Sequence, residues 1–276
     1  MKDLLVHVNV SEHCRARFEV AAPLVRSFDA HLTGLYTSAV GDVPFFMEEE
    51  ISSRVEPARR AWWLQMRDKA KAEFDGFWRE AGIAVDWLEI DEDVGAMVPY
   101  HARYADLTII GQIDPEELLP RPEYEVPERV VLESGRPVLI VPYAGTFATV
   151  GQRILVAWNG SAPSARAVND AMPFLRRAKQ VTILTLDADR LRTGKDARPS
   201  AHLAAHLARH GLKAEARELA TDDVGVDEMI LSQAADQGAD LIVMGAYGHP
   251  RAREIILGGA TRGLFQHMTV PILMSH

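Results

Sequence analysis

The chain has 276 residues, enough for two domains of ordinary size, and its hydrophobic content of 47% is typical of globular proteins. No run of about 18 apolar residues predicts a membrane span, and the net charge of −9 argues against general nucleic-acid binding, which requires Lys and Arg to neutralise phosphates. The single cysteine, Cys14, excludes an internal disulfide framework, and the first residues lack the apolar region of a signal peptide, so a cytoplasmic protein is predicted.

The charge is distributed unevenly along the chain. Residues 1–143 carry 15 Lys and Arg against 26 Asp and Glu, a net charge of 15 − 26 = −11. Residues 144–276 carry 15 against 13, a net charge of 15 − 13 = +2. A polyanionic ligand is therefore expected in the second half of the chain, since the first half would repel it.

Apolar runs of strand type alternate with helical patterns, in the same order in each half. The first half predicts strands at 4–8, 31–37, 83–90 and 106–110, with helices at 11–29, about 55–81 and 94–103. The second half predicts strands at 153–158, 180–186, 213–219 and 240–244, with helices at 161–177, about 199–210 and 224–237. A final helix and strand complete each half. This alternation predicts crossover connections and a mostly parallel sheet.

The two halves are copies of one unit. Residues 105–111 read Ala-Asp-Leu-Thr-Ile-Ile-Gly and residues 239–245 read Ala-Asp-Leu-Ile-Val-Met-Gly, at an offset of 245 − 111 = 134. Residues 4–11 match residues 154–161 at an offset of 150, and both end in an Asn-x-Ser turn. We therefore predict two α/β domains, each a Rossmann-like, mostly parallel five-stranded sheet flanked by helices, at 1–143 and 152–276.

Glycines punctuate the end of the second copy. Gly245 and Gly248 follow the strand 240–244, and a predicted helix at 260–268 begins after Gly258 and Gly259, with Thr261 near its cap. Glycines allow a close approach of the backbone to a ligand, and the free N–H groups of a helix start favour phosphate. The pattern predicts a phosphate site, with tight packing turns and simple helix capping by Thr261 as the alternatives.

These residues resemble the universal stress protein family in its tandem, two-domain form, and the resemblance covers essentially the whole chain. The family signature is Gly, two residues, Gly, nine residues, Gly, then Ser or Thr; the chain departs from it at Gly259, where a hydroxyl residue is usual. The resemblance implies the adenine nucleotide alpha hydrolase-like version of the Rossmann-like fold. It also implies a bound adenine nucleotide such as ATP, with Mg²⁺ accompanying the phosphates, and a role in stress response or signalling.

The resemblance also implies the positions that would hold the nucleotide. An Asp usually follows the first strand, and Asn159 stands there, while Leu186 would give backbone contact to adenine; a turn-forming role is the alternative for Asn159. Trp158 stands where a smaller residue is common, so it would either stack on the base or partly fill the pocket. The implied set is Ala157, Trp158, Asn159, Leu186, Met244, Gly245, Gly248, Gly258, Gly259, Ala260 and Thr261.

The first copy lacks the corresponding glycines. Gapless alignment at the offset of 134 puts Asp114 opposite Gly248, Tyr124 opposite Gly258, Glu125 opposite Gly259 and Pro127 opposite Thr261. Side chains and a carboxylate would meet the phosphate oxygens there, and the proline removes a donor. We predict that the first copy binds no nucleotide.

Other chemistry-bearing residues have plainer interpretations. Arg251, Arg253 and Arg262 read as solvated charges, with phosphate contact as the alternative. A spacing of four places His202, His206 and His210 on one helix face, where a solvated stripe is favoured over a zinc site. The neighbours His13 and Cys14 point apart on a helix and do not form a catalytic pair.

Two main functions of different kinds remain open at this stage, and a third, less favoured one is a hydrolase with a metal site lined by His202, His206 and His210. The favoured one is a non-enzymatic tandem protein whose second domain binds ATP and whose first is a degenerate partner packed on it through their last strands, with a homodimer of chains left open. No Walker loop is present, so efficient turnover is not expected, although slow hydrolysis stays open. The alternative is a nucleotide-independent module that binds a protein or small ligand through the apolar insertion at 38–54.

Overall fold

The computed structural model describes residues 1–37, 49–119, 121–188, 199–221, 224–246 and 259–276, with backbone alone at 49–56, 59, 121–122 and 260. Its contacts divide the chain into two compact units, Met1–Ser134 and Gly135–His276. The boundaries predicted from the sequence, 1–143 and 152–276, remain a prediction about where the domains begin and end.

The first unit is a parallel sheet with helices between its strands. Its strand order is β3-β2-β1-β4, and all three pairings are parallel. The strands are β1 (Asp3–Val8), β2 (His31–Thr37), β3 (Asp86–Ile90) and β4 (Leu107–Gly111). The helices are α1 (Cys14–Phe28), α2 (Glu49–Ala81), α3 (Val94–Ala102) and α4 (Val126–Glu133), and the 3-10 turn Arg121–Glu125 precedes α4.

The second unit has the order β5-β10-β9-β6-β7-β8, parallel throughout except for β5, which pairs antiparallel with β10. The strands are β5 (Val138–Val141), β6 (Arg153–Ala157), β7 (Gln180–Leu186), β8 (Glu215–Leu219), β9 (Leu241–Gly245) and β10 (Ile272–Ser275). The helices are α5 (Ala162–Asp170), α6 (Met172–Leu175), α7 (Pro199–Arg209), α8 (Val226–Asp236) and α9 (Gly259–His267). Counted along the chain, β1–β5 come from the first sequence repeat and β6–β10 from the second, five strands each, and the predicted Rossmann-like α/β fold class is confirmed.

The predicted helix at 161–177 is two helices, because Pro173 has no N–H to continue the ladder. The backbone N–H groups of Phe174 and Leu175 instead bond to the carbonyl of Ala171, where the second helix starts. The predicted helix at about 55–81 begins earlier, at Glu49, and it contains Pro57. These are differences of boundary, and the predicted order of elements is correct.

The core of the first unit is aromatic on the face of the sheet that α1 and α2 cover. Phe18 of α1 packs edge-on against Phe74 of α2, with ring centroids 5.5 Å apart, and Trp78 lies 6.1 Å from Phe18. A Cβ at Gly34 of β2 would strike the Phe74 ring, so the glycine makes room for that ring on the strand. Phe74 and Trp78 of α2 are therefore part of the core of this unit.

Candidate functional site

The carboxyl ends of β6 and β9 lie side by side in the second unit. Ala157 is opposite Met244 in the parallel ladder, and Ala157 is also opposite Leu184 of β7. Leu186 lies two residues beyond Leu184, so it shares the sheet face of Ala157 and Met244. The structure thus brings three of the predicted positions to one edge and one face of the sheet.

Trp158 lies on the other face of the sheet. Its backbone N–H donates to the carbonyl of Leu184 at 2.8 Å, which continues the ladder by one residue beyond Ala157. The side chain is therefore opposite in direction to that of Ala157. Its indole Nε1 is buried, with no hydrogen-bond partner among the residues that the structure describes. This placement puts the Trp158 side chain away from the face shared by Ala157 and Met244, so it supports neither stacking on a base held there nor filling of that pocket.

Asn159 and Ser161 form the turn that starts α5. The Asn159 side-chain oxygen accepts the Ser161 N–H at 3.1 Å and the Ser161 hydroxyl at 2.7 Å, and Gly160 between them has a φ of 71°. The Ser161 hydroxyl in turn accepts the Ser164 N–H at 3.3 Å, as an N-cap does. The oxygen of Asn159 is thus engaged within the turn, and its Nδ2 has no partner among the described residues.

Gly245 lets the end of β9 touch the first turn of α5. A Cβ at this position would lie less than 3.0 Å from the backbone of Pro163 and Ser164, which has no freedom to move aside. Any side chain would therefore push the helix away from the sheet. Gly245 therefore has a packing role, which was the predicted alternative to phosphate binding. This packing positions the N-terminus of α5 beside the end of β9.

The helix α9 begins at Gly259, and the glycine loop before it is only partly in view. Gly248 and Gly258, together with Arg251 and Arg253, lie outside the described residues. Gly259 is exposed, and a Cβ there would meet no atom of the described residues within 4 Å. The first turn that follows includes Ala260 and the buried Thr261, so this helix start is open at its first residue and packed at its third.

Gly263 lies one turn further along α9, where a Cβ would strike the carboxylate of Asp227 on α8. The two helices therefore approach closely at this point. This contact fixes the first turns of α9 against α8 within the second unit.

In the first unit the equivalent turn holds carboxylates. Asn9, the counterpart of Asn159, donates from Nδ2 to Glu123 at 2.9 Å while its oxygen accepts the Ser11 N–H at 3.2 Å. Ser11, the counterpart of Ser161, donates its hydroxyl to Glu117 at 2.7 Å. The other Glu117 oxygen accepts the backbone N–H of Glu12, also at 2.7 Å. We call Glu117 and Glu123 the acidic pair.

The contacts of the acidic pair show which donors of this turn can bind a negatively charged group. Glu117 is bound by a hydroxyl and by an N–H at the start of α1, which is where the helix dipole favours negative charge. The obstructing residues predicted from the sequence were Asp114, Tyr124, Glu125 and Pro127, and neither member of the acidic pair was among them. Asp114 instead lies 3.0 Å from His13, and the Tyr124 hydroxyl donates to the Glu117 carbonyl at 2.6 Å. The Asn-x-Ser repeat was the available signal for Ser11 and Ser161.

Glu123 and His7 are buried neighbours beneath the 121–125 turn. The His7 ring Nε2 lies 3.7 Å from a Glu123 carboxylate oxygen, and both side chains are less than a tenth exposed. Burial raises the pKa of Glu123 to about 7, and burial together with Arg17 holds the pKa of His7 well below its ordinary value. Burial therefore favours the neutral form of both the imidazole and the carboxyl group in this cluster.

The remaining candidates lie away from this edge of the sheet. The exposed rings of His206 and His210 lie with their centroids 4.9 Å apart on α7. No cluster of three or more His, Cys, Asp or Glu able to hold a metal occurs in the described parts of the chain. Cys14 is buried, and that burial raises the pKa of its thiol, so the thiolate is disfavoured.

None of the helices in the described residues has both the length and the apolar character that crossing a bilayer requires.

Comparison with known proteins adds a family match and fold matches. The model of the universal stress protein family matches residues 151–276. The universal stress protein Slr1230 of Synechocystis is 28% identical over 151 residues, which cover 53% of this chain and 49% of that protein. The matched region thus spans about half the length of this curated relative.

Two solved structures share the fold over nearly the whole chain. A universal stress protein from Archaeoglobus fulgidus superposes with a TM-score of 0.74 at 16% identity, covering 99% of this chain and 97% of its own. A functionally unknown protein from Pseudomonas aeruginosa superposes with a TM-score of 0.62 at 15% identity, covering 100% and 92%. At these identities the likeness concerns the fold alone.

Proposed function

We propose that the chain belongs to the universal stress protein family, whose model matches residues 151–276, and that this half binds ATP or a related adenine nucleotide in stress response or signalling. The nucleotide would lie across the carboxyl ends of β6 and β9. Its adenine would contact Ala157, Leu186 and Met244, which share one face of the sheet. Its phosphates would lie toward Gly259 and the start of α9.

The observation that carries this proposal is the contrast between the two Asn-x-Ser turns. In the first unit the Asn9 amide and the Ser11 hydroxyl each donate to an acidic side chain of the protein. In the second unit Asn159 and Ser161 bond only to each other and to α5 among the described residues. The same donors would therefore be available to an anion that comes from outside the chain.

The residues present suit the phosphates of such a ligand. Asn159 would donate from Nδ2, and the Ser161 hydroxyl would exchange its bond to Asn159 for one to the ligand. No atom of the described residues lies within 4 Å of a Cβ placed on Gly259, which would leave room for a phosphate at a helix N-terminus, where N–H groups and the dipole stabilise negative charge. The residues 144–276 carry a net charge of +2, which is compatible with a polyanion. Mg²⁺ would bridge the phosphate oxygens when the nucleotide binds.

The first unit would bind no nucleotide, because its acidic pair already uses these donors. A phosphate would have to displace Glu117 from Ser11 and Glu12, and it would meet the buried Glu123 beside Asn9. Like charges this close would repel by several kcal/mol in a partly buried site. We therefore propose one nucleotide per chain.

A thermal shift experiment tests whether the second unit binds a nucleotide. With ATP and Mg²⁺ at about 100 times the dissociation constant, binding to the folded state adds about 2.7 kcal/mol of stability, so the melting temperature should rise. Gly259→Glu should abolish the rise, whereas Ser232→Glu, which adds the same charge to an exposed position of α8, should retain it. No rise in the unmodified protein would favour the nucleotide-independent module, whose proposed segment 38–54 lies largely outside the described residues.

A further inference from the structure

The acidic pair of the first unit joins a buried carboxyl group to a half-buried one. Glu123 lies beneath the 121–125 turn, with Asn9 bonded to one of its oxygens and His7 3.7 Å from the same oxygen. Glu117 lies nearer the solvent and accepts bonds from the Ser11 hydroxyl and the Glu12 N–H at the start of α1. Neither member has a role in the nucleotide binding proposed for the second unit.

The described groups around Glu123 leave its negative charge poorly compensated. Among the side chains that the structure describes, which do not include that of Arg121, Arg17 of α1 is the one cation that acts on it, and the Arg17 guanidinium is also bonded to the carbonyl of His7. Glu117 repels it. Tyr36 of β2 and Cys14 of α1 also face it, and its charge disfavours ionisation of both.

The helices beside the 121–125 turn add no compensating cation in the described structure. His101 of α3 interacts with Glu92, and Arg129 of α4 is bonded to Glu133. Burial is the main reason that the pKa of Glu123 is raised, to about 7, while the Asn9 bond and Arg17 lower it. The carboxyl group therefore changes its charge in the physiological range.

We propose that the acidic pair is a proton-controlled latch, in which protonated Glu123 allows Glu117 to stay on Ser11 and Glu12, and ionised Glu123 expels Glu117 from the start of α1. On ionisation, the O–H bond of the Glu123 carboxyl group breaks and the proton passes to water. No other covalent bond changes. Glu117 is the member that moves, because it is half exposed and water can replace both of its hydrogen bonds. Glu123 stays in place, since Asn9 holds it and its surroundings are closed.

Expulsion of Glu117 would uncover the Ser11 hydroxyl and the first N–H groups of α1. The first unit would then present a polar, open helix start above about pH 7 and a closed one below it. The latch is independent of nucleotide binding in the second unit, so it would survive a failure of that proposal.

An NMR titration of the full chain tests the latch. We expect the side-chain carboxyl carbon of Glu123 to titrate near pH 7, and the Glu12 amide proton, which reports the bond to Glu117, to shift with the same midpoint. In Glu123→Gln the Glu12 amide should keep one chemical shift from about pH 6 to about pH 8. Glu117→Gln should lower the midpoint of Glu123, since it removes the like charge.

A control on the same segment separates the latch from a general charge effect. Glu116 is exposed, so Glu116→Gln should leave both midpoints unchanged. The proposal is overturned if Glu123 titrates below about pH 5. It is equally overturned if the Glu12 amide does not follow Glu123, or if it still titrates near pH 7 in Glu123→Gln.

Discussion

Asn159 shows how one residue type serves two purposes in the repeat. Its oxygen shapes the turn before α5, as the oxygen of Asn9 does before α1. The Nδ2 group of Asn9 then donates to an acidic oxygen, whereas that of Asn159 has no partner in the described part of the chain. An Asp at this position would carry a negative charge and would have no amide donor. Asn159 has no charge, and its amide supplies a donor that suits an anion.

Asn159→Ala should weaken ATP binding about tenfold. One hydrogen bond from an amide to a charged oxygen contributes roughly 1.5 kcal/mol, and a factor of ten corresponds to 1.4 kcal/mol at room temperature. Calorimetry with ATP and Mg²⁺ measures the change, with Asn169→Ala, at an exposed position of α5, as the matched control. An unchanged dissociation constant would remove Asn159 from the site.

Two glycines of the predicted motif should respond in opposite ways to the same substitution. Gly245→Ala should destabilise the second unit by about 2–3 kcal/mol, because its Cβ would collide with the α5 backbone. Gly259→Ala should change stability by less than about 0.5 kcal/mol, since its Cβ would enter open space. Urea denaturation of the two variants measures both values, and equal losses would mean that Gly245 is not a packing residue.

The residue scale is also where the sequence was least informative. Periodicity predicted that Trp158 stands at the strand end, but the side of the sheet depends on whether the ladder continues for one more residue, and the Leu184 bond shows that it does. The acidic pair was missed because Glu117 and Glu123 lie more than 100 residues from the turn they complete. Local patterns carry no information about contacts at such separation.

The pH dependence of stability provides another test of Glu123. Its folded-state pKa of about 7 exceeds the ordinary value of 4.5, so protonation favours the folded state. The stabilisation is fully present below about pH 4.5 and is lost as the pH rises through 7, in total about 3 kcal/mol at 1.36 kcal/mol per unit. Urea denaturation from pH 5 to pH 8 should show this loss in the unmodified protein and a smaller one in Glu123→Gln; identical profiles would contradict the assignment.

At the scale of the elements, one carboxylate fixes the chain at the start of β6 in the second unit. The Asp240 side chain, just before β9, accepts the Thr149 hydroxyl at 2.6 Å and the N–H groups of Gly151, Gln152 and Arg153 at 2.9–3.1 Å. Its counterpart Asp106 accepts the N–H groups of Lys2 and Asp3 in the first unit. The repeated Ala-Asp-Leu run therefore preserves a tie between the first strand of each unit and its neighbour.

Asp240→Ala should destabilise the second unit by about 2–4 kcal/mol, since three backbone donors would lose an ionised acceptor. Asp236→Ala, whose exposed carboxylate accepts only a 3.4 Å bond from Gln233, should cost less than about 0.5 kcal/mol. Thermal unfolding of both variants provides the comparison. A similar effect of the two substitutions would show that the tie contributes little.

The order of elements was the most predictable property of the chain. Strands such as 106–110 and 240–244 are short apolar runs with clear boundaries, and the repeat showed each element twice. The earlier start of α2 at Glu49 and the break at Ala171 were not predicted, because a proline inside a periodic pattern signals a kink, a stop or a restart equally well.

At the scale of the whole molecule, duplication has produced two units with the same turn and different contents. In the first, an internal acidic pair bonds to Asn9 and Ser11. In the second, the residues 144–276 carry no acidic excess, and α9 begins at the exposed Gly259. We interpret this as a division between a self-filled unit and one that accepts a ligand.

Isothermal titration calorimetry of the intact chain with ATP and Mg²⁺ at about pH 6, where Glu117 stays bonded to Ser11 and Glu12, tests this division most directly. The account predicts one site per chain, lost in Gly259→Glu and retained in Ser232→Glu. Two sites per chain would contradict it, as would full binding by Gly259→Glu or no binding by the unmodified protein.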